Sequence, residues 1–176
     1  MPLAIRPARQ DEAETIREIH MKAFGEEEGP SVSQLSVDLL ADETAEPRLI
    51  LVAEDAGEAV GCVIFTNVQI EGAESVAGSI LAPLGVVPRW HGQGVGAALV
   101  QHGLDLLKSR GVDLVLVLGD PRYYSRFGFR AGHGIATPYD LPYPEAWMAL
   151  EFTPGLLDRV AGVARCATML SAPEHW

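Results

Sequence analysis

A nearly continuous apolar run from Ile80 to Val87 stops at Pro88 and gives way to three glycines at alternating positions, Gly92, Gly94 and Gly96. Beyond them Val95, Ala98, Leu99, His102 and Leu106 recur at helical spacing through Gly94 to Arg110, and Gly111 supplies the left-handed stop. A second apolar run, Leu114-Val115-Leu116-Val117-Leu118, follows at once. Two strands separated by one helix of roughly 25 Å lie parallel in one sheet, joined by a crossover. The glycine-rich join can turn tightly and approach a ligand with no side chain in the way. Amides in the first turn of the helix lack intrahelical partners, and the helix dipole adds positive potential there. A pyrophosphate fits such a site, with Arg89 placed just upstream to reach a further phosphate.

The rest of the chain fills in around this unit. Leu3 to Pro7 reads as a short strand, and Asp11 as the cap of a helix on which Ala13, Ile16, Ile19, His20 and Ala23 share a face. Gly25-Glu26-Glu27-Glu28-Gly29-Pro30 is expected to break that helix as a flexible, solvated segment, with a second helix from Val32 to about Ala41. Arg48 to Glu54 and Ala59 to Ile70 are β-rich runs joined by a hairpin turn at Asp55-Ala56-Gly57-Glu58. Arg122 to Phe127 is a short helix ending at Gly128. Two further strands are expected after Phe129, the clearer being Trp147 to Phe152, before an irregular tail.

Composition bounds the chemistry. The net charge of −11 excludes nucleic acid as an expected partner, because phosphate binding needs a positive surface. Yet Arg89 to Arg130 holds six basic residues (Arg89, Lys108, Arg110, Arg122, Arg126, Arg130) against Asp105, Asp113 and Asp120, so a small anion is welcome in the middle of an acidic chain. No apolar run is long enough for a membrane span, and the N-terminus lacks a signal peptide's apolar stretch, so a cytoplasmic location is expected. Cys62 and Cys166 have no metal-ligand spacing, no metal is expected, and two buried free thiols are expected in place of a disulfide.

The glycine pattern also satisfies a dinucleotide fingerprint, Gly92-x-Gly94-x-x-Ala97. That reading requires the loop directly after a strand and further β-α-β units. Pro88 to Gly92 intervene here, Asp113 begins the next strand instead of ending it, and no further units follow. A nucleotide P-loop fails for want of the Gly-Lys-Ser/Thr ending.

The stretch Leu84-Gly85-Val86-Val87-Pro88-Arg89-Trp90-His91-Gly92-Gln93-Gly94-Val95-Gly96-Ala97-Ala98-Leu99 resembles motif A of the GNAT superfamily of N-acetyltransferases, with His91 where Arg or Gln is usual. Gly119-Asp120-Pro121-Arg122-Tyr123-Tyr124-Ser125-Arg126-Phe127-Gly128-Phe129 is similar to the family's motif B, and Ile5-Arg6-Pro7 before a helix is also family-like. The resemblance covers about residues 3 to 130. It implies one domain over residues 1–176 of α+β class: a mixed, mostly antiparallel central sheet flanked by helices, with one parallel β-α-β crossover. It further implies acetyl-CoA as the acyl-donor cosubstrate, direct transfer to a primary amine of a small molecule or peptide, and a homodimer. A non-catalytic acyl-CoA-binding or sensor protein is the alternative.

By the same resemblance the backbone amides of His91, Gly92, Gln93, Gly94, Val95, Gly96 and Ala97 would hold the pyrophosphate. The exposed edge of Val86 and Val87 would pair with the pantetheine, and the Val86 amide would polarise the thioester carbonyl; both valines serve equally as core strand residues. Tyr124 matches the tyrosine that protonates the departing thiolate, which suits a group with an ordinary pKa of about 10; packing under the short helix is its other reading. Tyr123 reads as structural. Asp120 either orients or accepts a proton or only caps the helix before Pro121. The strand before the loop carries no carboxylate, so the general base stays open among Glu71, Glu74, Asp120, Glu145 and a water relay. His102 reads as a core residue, and His133 as a looser candidate on the acceptor side.

Overall fold

The computed structural model describes residues 3–176. Its centre is a twisted sheet in the order β1 (Ala4–Pro7), β2 (Leu49–Asp55), β3 (Glu58–Glu71), β4 (Gly78–Val86), β5 (Leu114–Leu118) and β7 (Trp147–Glu151). Neighbours are antiparallel except β4 and β5, which run parallel as the crossover requires. The β2–β3 hairpin closes through left-handed Ala56 (φ 50°) and Gly57 (φ 82°), the backbone a two-residue turn needs to match strand twist. The far end of β3 leaves β4 and takes a different partner: Gln69, Ile70 and Glu71 pair with β8 (Ala161–Arg165), which also pairs in parallel with β6 (Gly134–Ala136). Three strands thus follow Phe129 where two were expected, and one comes from the supposedly irregular tail.

Two helices cover opposite faces. α1 (Ala13–Ala41) buries Ile16, Ile19, His20, Leu35 and Leu39, and α2 (Val95–Ser109) buries Val95, Leu99, Val100, Leu104 and Leu107. The opposition follows from strand alternation, because Gly85 faces His20 and Ala23 of α1, while Gly61, paired with the next residue Val86, faces Val95 and Leu99 of α2. Gly103 lets α2 settle on the fully buried Phe65 of β3. His102 is exposed, contrary to the expected core position. No described helix is long and apolar enough to cross a membrane.

The expected break at Gly25–Pro30 is a kink within one long helix. Only Gly25 departs from helical geometry (φ 79°, ψ −170°), a conformation reserved for glycine, and Glu26, Glu27 and Glu28 already belong to the second segment. Carboxylates early in a helical segment complement the positive end of its dipole. At the start of α1 the capping position is Glu12, not Asp11. Glu12 is nearly buried and takes both terminal nitrogens of Arg6 (2.7 and 2.8 Å) and the amide of Arg9 (2.6 Å), while Arg6 Nε donates to Glu54 at 3.1 Å. This cluster ties β1, β2 and α1 together, and the Arg6 contact holds the Glu12 carboxyl down at about 2. Both cysteines are free; Cys62 is buried, whereas Cys166 is only partly so.

Two predictions follow from this packing. Burial holds the His20 imidazole at about 4 against an ordinary 6.5, with Nδ1–H donating to the Ile16 carbonyl at 2.9 Å. The unfolded chain therefore takes up a proton below pH 6.5 that the folded chain refuses until about 4, so stability falls as pH drops through that window. A urea-denaturation series should show a loss of about 2 kcal/mol between pH 8 and pH 5, which His20→Leu flattens. Gly103→Ala would drive a methyl into the Phe65 ring. The helix-propensity gain of up to about 1 kcal/mol is smaller than the overpacking cost of about 1–3 kcal/mol, so chemical denaturation should show a net loss.

Candidate active site

Pairing between β4 and β5 runs from Gly78↔Leu114 to Leu81↔Val117 and stops there, although β4 continues to Val86. From Ala82 onward β4 keeps only β3 as a neighbour, and its other edge borders an open cleft. Which groups face the cleft is set by one hydrogen bond: the Val87 amide donates to the Val60 carbonyl at 3.0 Å. Backbone groups alternate along a strand, so the N–H and C=O of Val86 point the opposite way, into the cleft. Of the two valines expected at a binding edge, only Val86 turns its backbone groups to the cleft; the Val87 amide is spent on β3 and its side chain is buried.

The cleft is a cavity of about 720 Å³. One wall is Leu84 and Val86 with Ala23 and Phe24 from the end of the first α1 segment; another is the loop His91, Gly92 and Gly94 with the first turn of α2, Val95 to Ala97. Gly94 caps α2 in the left-handed conformation (φ 82°), directing the chain into the helix with no side chain over its open amides. His91 turns its ring onto the strand edge, Nε2 meeting the Val86 carbonyl at 2.6 Å, and so holds the loop against β4. The Gln93 side chain folds back to donate to the Arg89 carbonyl at 3.0 Å and does not line the cavity. Arg89 also points elsewhere, pairing with Glu58 beside a smaller groove of about 330 Å³, so the expected upstream phosphate contact is not formed there.

The third wall comes from the turn after β5. Asp120 lies just past that strand and caps α3 (Pro121–Tyr124): its Oδ1 accepts from the Arg122 amide at 2.9 Å, and the residue borders the cavity. The capping reading of Asp120 is thus formed, and the residue also stands at the cavity wall. Arg122, Tyr123 and Arg126 line the cavity beside it. A Cβ on Gly96 would lie 2.6 Å from the Tyr123 hydroxyl, so the absent side chain is what admits that hydroxyl to the first turn of α2. Tyr124 is not among the cavity-lining residues: it is more deeply set, packed over Gly119 and edge-on to Tyr123 (5.0 Å) and Phe129 (5.8 Å), and burial pushes its hydroxyl pKa up. Tyr123 is thus a cavity residue where the sequence pointed to a structural one. Arg122 and Arg126 were likewise visible only as part of the basic window.

The other proton-acceptor candidates stand outside the cleft. Glu71 pairs with Arg165 at 2.6 Å at the far end of β3, and Glu74 accepts from the Gly72 amide at 2.9 Å. Glu145 lies in the turn before β7 and is not among the cavity-lining residues. Both ring nitrogens of His133 are engaged, Nδ1 accepting from the Ile135 amide at 3.2 Å and Nε2 donating to the Trp147 carbonyl at 3.1 Å. Of the carboxylates considered, only Asp120 borders the cavity.

Known proteins are similar to this chain in sequence and fold. Residues 4–132 match the family model described as Acetyltransferase (GNAT) domain. An uncharacterized N-acetyltransferase of Escherichia coli K12, YjhQ, is 38% identical over 164 residues, covering 90% of this chain and 88% of that protein. Among solved structures, the GNAT family N-acetyltransferase YhbS of Escherichia coli in complex with CoA superposes with a TM-score of 0.87 at 29% identity, over 97% of this chain and 93% of that one. A GNAT family acetyltransferase from Brucella melitensis in complex with acetyl-CoA gives a TM-score of 0.76 at 29% identity, over 96% and 98%. The chain belongs to the GNAT acetyltransferase family.

Proposed function

We propose that the chain transfers an acetyl group from acetyl-CoA to a primary amine by direct attack within the cleft between β4 and β5. The observation that carries this reading is the unpaired β4 edge at Val86 leading straight to the open amides at the head of α2. An extended donor bearing amides at one end and a pyrophosphate at the other matches that order of binding groups. The cavity, about 720 Å³, has room for it. Acetyl-CoA supplies the activated acyl group as a thioester; everything else falls to this chain's residues.

The amides from Gly92 to Ala97 hold the pyrophosphate; the His91 amide, expected among them, is already spent on the Pro88 carbonyl at 3.0 Å. The Val86 N–H donates to the acyl carbonyl, aimed where negative charge develops during attack. Ala23 and Phe24 form an apolar wall that excludes water from the reacting end. Asp120, its Oδ1 already fixed by the Arg122 amide, accepts the amine's proton directly or through a water on its remaining lone pairs. Tyr124 keeps its phenolic proton to high pH because it is buried, and gives it to the departing thiolate. The rival of binding without turnover drew on the lack of a carboxylate on β4, and Asp120 in the cleft weakens it.

Free-thiol release from acetyl-CoA across a panel of amines tests the reading; no release with any amine, alongside tight coenzyme binding, would favour the sensor. Tyr124→Phe should lower kcat by about 100-fold or more and leave the coenzyme Kd within about twofold. A retained rate would move the acid to another group, with the Tyr123 hydroxyl the nearest alternative. Asp120→Asn keeps an acceptor oxygen for the cap, so it should leave the melting temperature nearly unchanged while reducing kcat/KM for the amine by about 100-fold. Equal activity in that variant would return Asp120 to a purely capping role.

A further inference from the structure

The chain carries 24 acidic residues against 13 lysines and arginines, so what matters is where the cations without a carboxylate partner lie. Arg6, Arg9, Arg17, Arg48, Arg89, Arg130 and Arg165 all form ion pairs. Among the described residues Lys22, Lys108, Arg110, Arg122, Arg126 and Arg159 form none, and of these six only Arg122 and Arg126 line the large cavity. Arg126 is also held in place. Its guanidinium lies 4.4 Å from the centre of the Tyr123 ring and 5.3 Å from that of Phe127, and its Nε donates to the Tyr123 carbonyl at 3.1 Å. Stacking and that single bond fix the plane of the group and leave its terminal nitrogens for a ligand. The Tyr123 hydroxyl in turn reaches Gly96, so the stacked pair stands immediately across from the open amides of the loop.

We propose that Arg126, with Arg122 beside it, forms a subsite for a phosphomonoester, the 3′-phosphate of the donor coenzyme, and so sets a preference for coenzyme A over its 3′-dephospho form. The proposal rests on the donor reading above. With the loop amides taken by the pyrophosphate, the coenzyme's remaining anion is this monoester, which carries a charge of about −1.5 to −2 near neutral pH. An acidic chain of net charge −11 repels such a group over most of its surface, so a local pair of unpaired guanidiniums decides where it can rest. The planar fork of arginine matches a phosphate face-on, and pre-stacking on Tyr123 lowers the ordering cost of using it. The duller role, in which Arg126 merely braces the turn through the Tyr123 carbonyl, makes a different prediction.

Titration calorimetry at low ionic strength with coenzyme A and with 3′-dephospho-coenzyme A separates the two. The wild-type protein should bind coenzyme A about tenfold or more tightly than the dephospho form. Arg126→Gln should bring that ratio to within about twofold of unity while the affinity for the dephospho form changes by less than about twofold. Arg122→Gln should give an intermediate ratio, and Arg110→Gln, which removes the same charge at the far end of α2, should leave it unchanged. A wild-type ratio near one overturns the subsite, as does an Arg126→Gln protein that binds both ligands equally weakened, the result a bracing role predicts. If Arg126→Gln does not fold, Arg126→Lys keeps the charge without the fork, and an unaltered ratio there overturns the fork geometry proposed. Should the wild-type protein bind neither ligand, the donor reading itself falls and the subsite with it.

Discussion

The hydrogen bond from the Val87 amide to the Val60 carbonyl governs more of this molecule than its single-bond strength suggests. It fixes the phase of β4 at the point where β5 has left it, and thereby decides which backbone groups are spent within the sheet and which face the cleft. A buried strand with open donors and acceptors is costly, so the cleft edge must find partners in water, protein or ligand. One is already supplied, since the His91 ring sits on the Val86 carbonyl. The Val86 amide is the group left to act, and it lies at the end of a path whose other end is the head of α2. Shift the phase by one residue and the backbone groups of Gly85 and Val87 would face the cleft in place of those of Val86.

The three layers around this edge are brought together by missing side chains. Gly103 admits the Phe65 ring and draws α2 onto β3; Gly85 admits the edge of His20 and draws α1 onto β4; Gly96 admits the Tyr123 hydroxyl and draws the turn after β5 over α2. Each contact is a close approach that a methyl would disturb, and together they set the width of the cleft from both faces and from its far wall. Charge is distributed to suit. The Arg6, Glu12 and Glu54 cluster closes the β1 side of the sheet internally, whereas Arg122 and Arg126 are left without carboxylates where the cleft opens. The acidic excess of the chain thus makes the cleft the place where an anion is least opposed.

Much of this was legible from residue order because the donor half of the proposed site is made of backbone. A strand, a proline stop, alternating glycines and a helix leave a pattern in the sequence that physics converts directly into open amides at a helix head. Features that depend on distant side chains were harder. The apolar spacing of α2 is satisfied both by a stripe through His102 and Leu106 and by the observed one through Val100, Gly103 and Leu107; the second wins because Gly103 faces Phe65, and a glycine announces no face of its own. The strand β8 alternates only weakly, being mostly exposed, and is recruited by the overhanging end of β3. Arg89 reads as a phosphate contact until Glu58, across the hairpin turn, is brought beside it. Tyr123 and Tyr124 are adjacent and chemically alike, and only their packing separates the cavity residue from the buried one.

The acceptor half was not legible for a related reason. The wall proposed for it is assembled from elements far apart in the chain: Ala23 and Phe24 just before Gly25, and Asp120 in the turn after β5. Gly25 matters here because its glycine-only backbone lets the first segment of α1 end at the cleft while the second is free to take another direction. The position of Phe24 is then set by α1 packing on β4 through Gly85, not by any local motif. A donor common to a whole family can be held by backbone geometry that tolerates sequence change. An acceptor bound at the proposed wall would be recognised by side chains such as these, placed by the tertiary fold. The division of labour within the cleft therefore explains why the donor can be read from a short motif and the amine cannot.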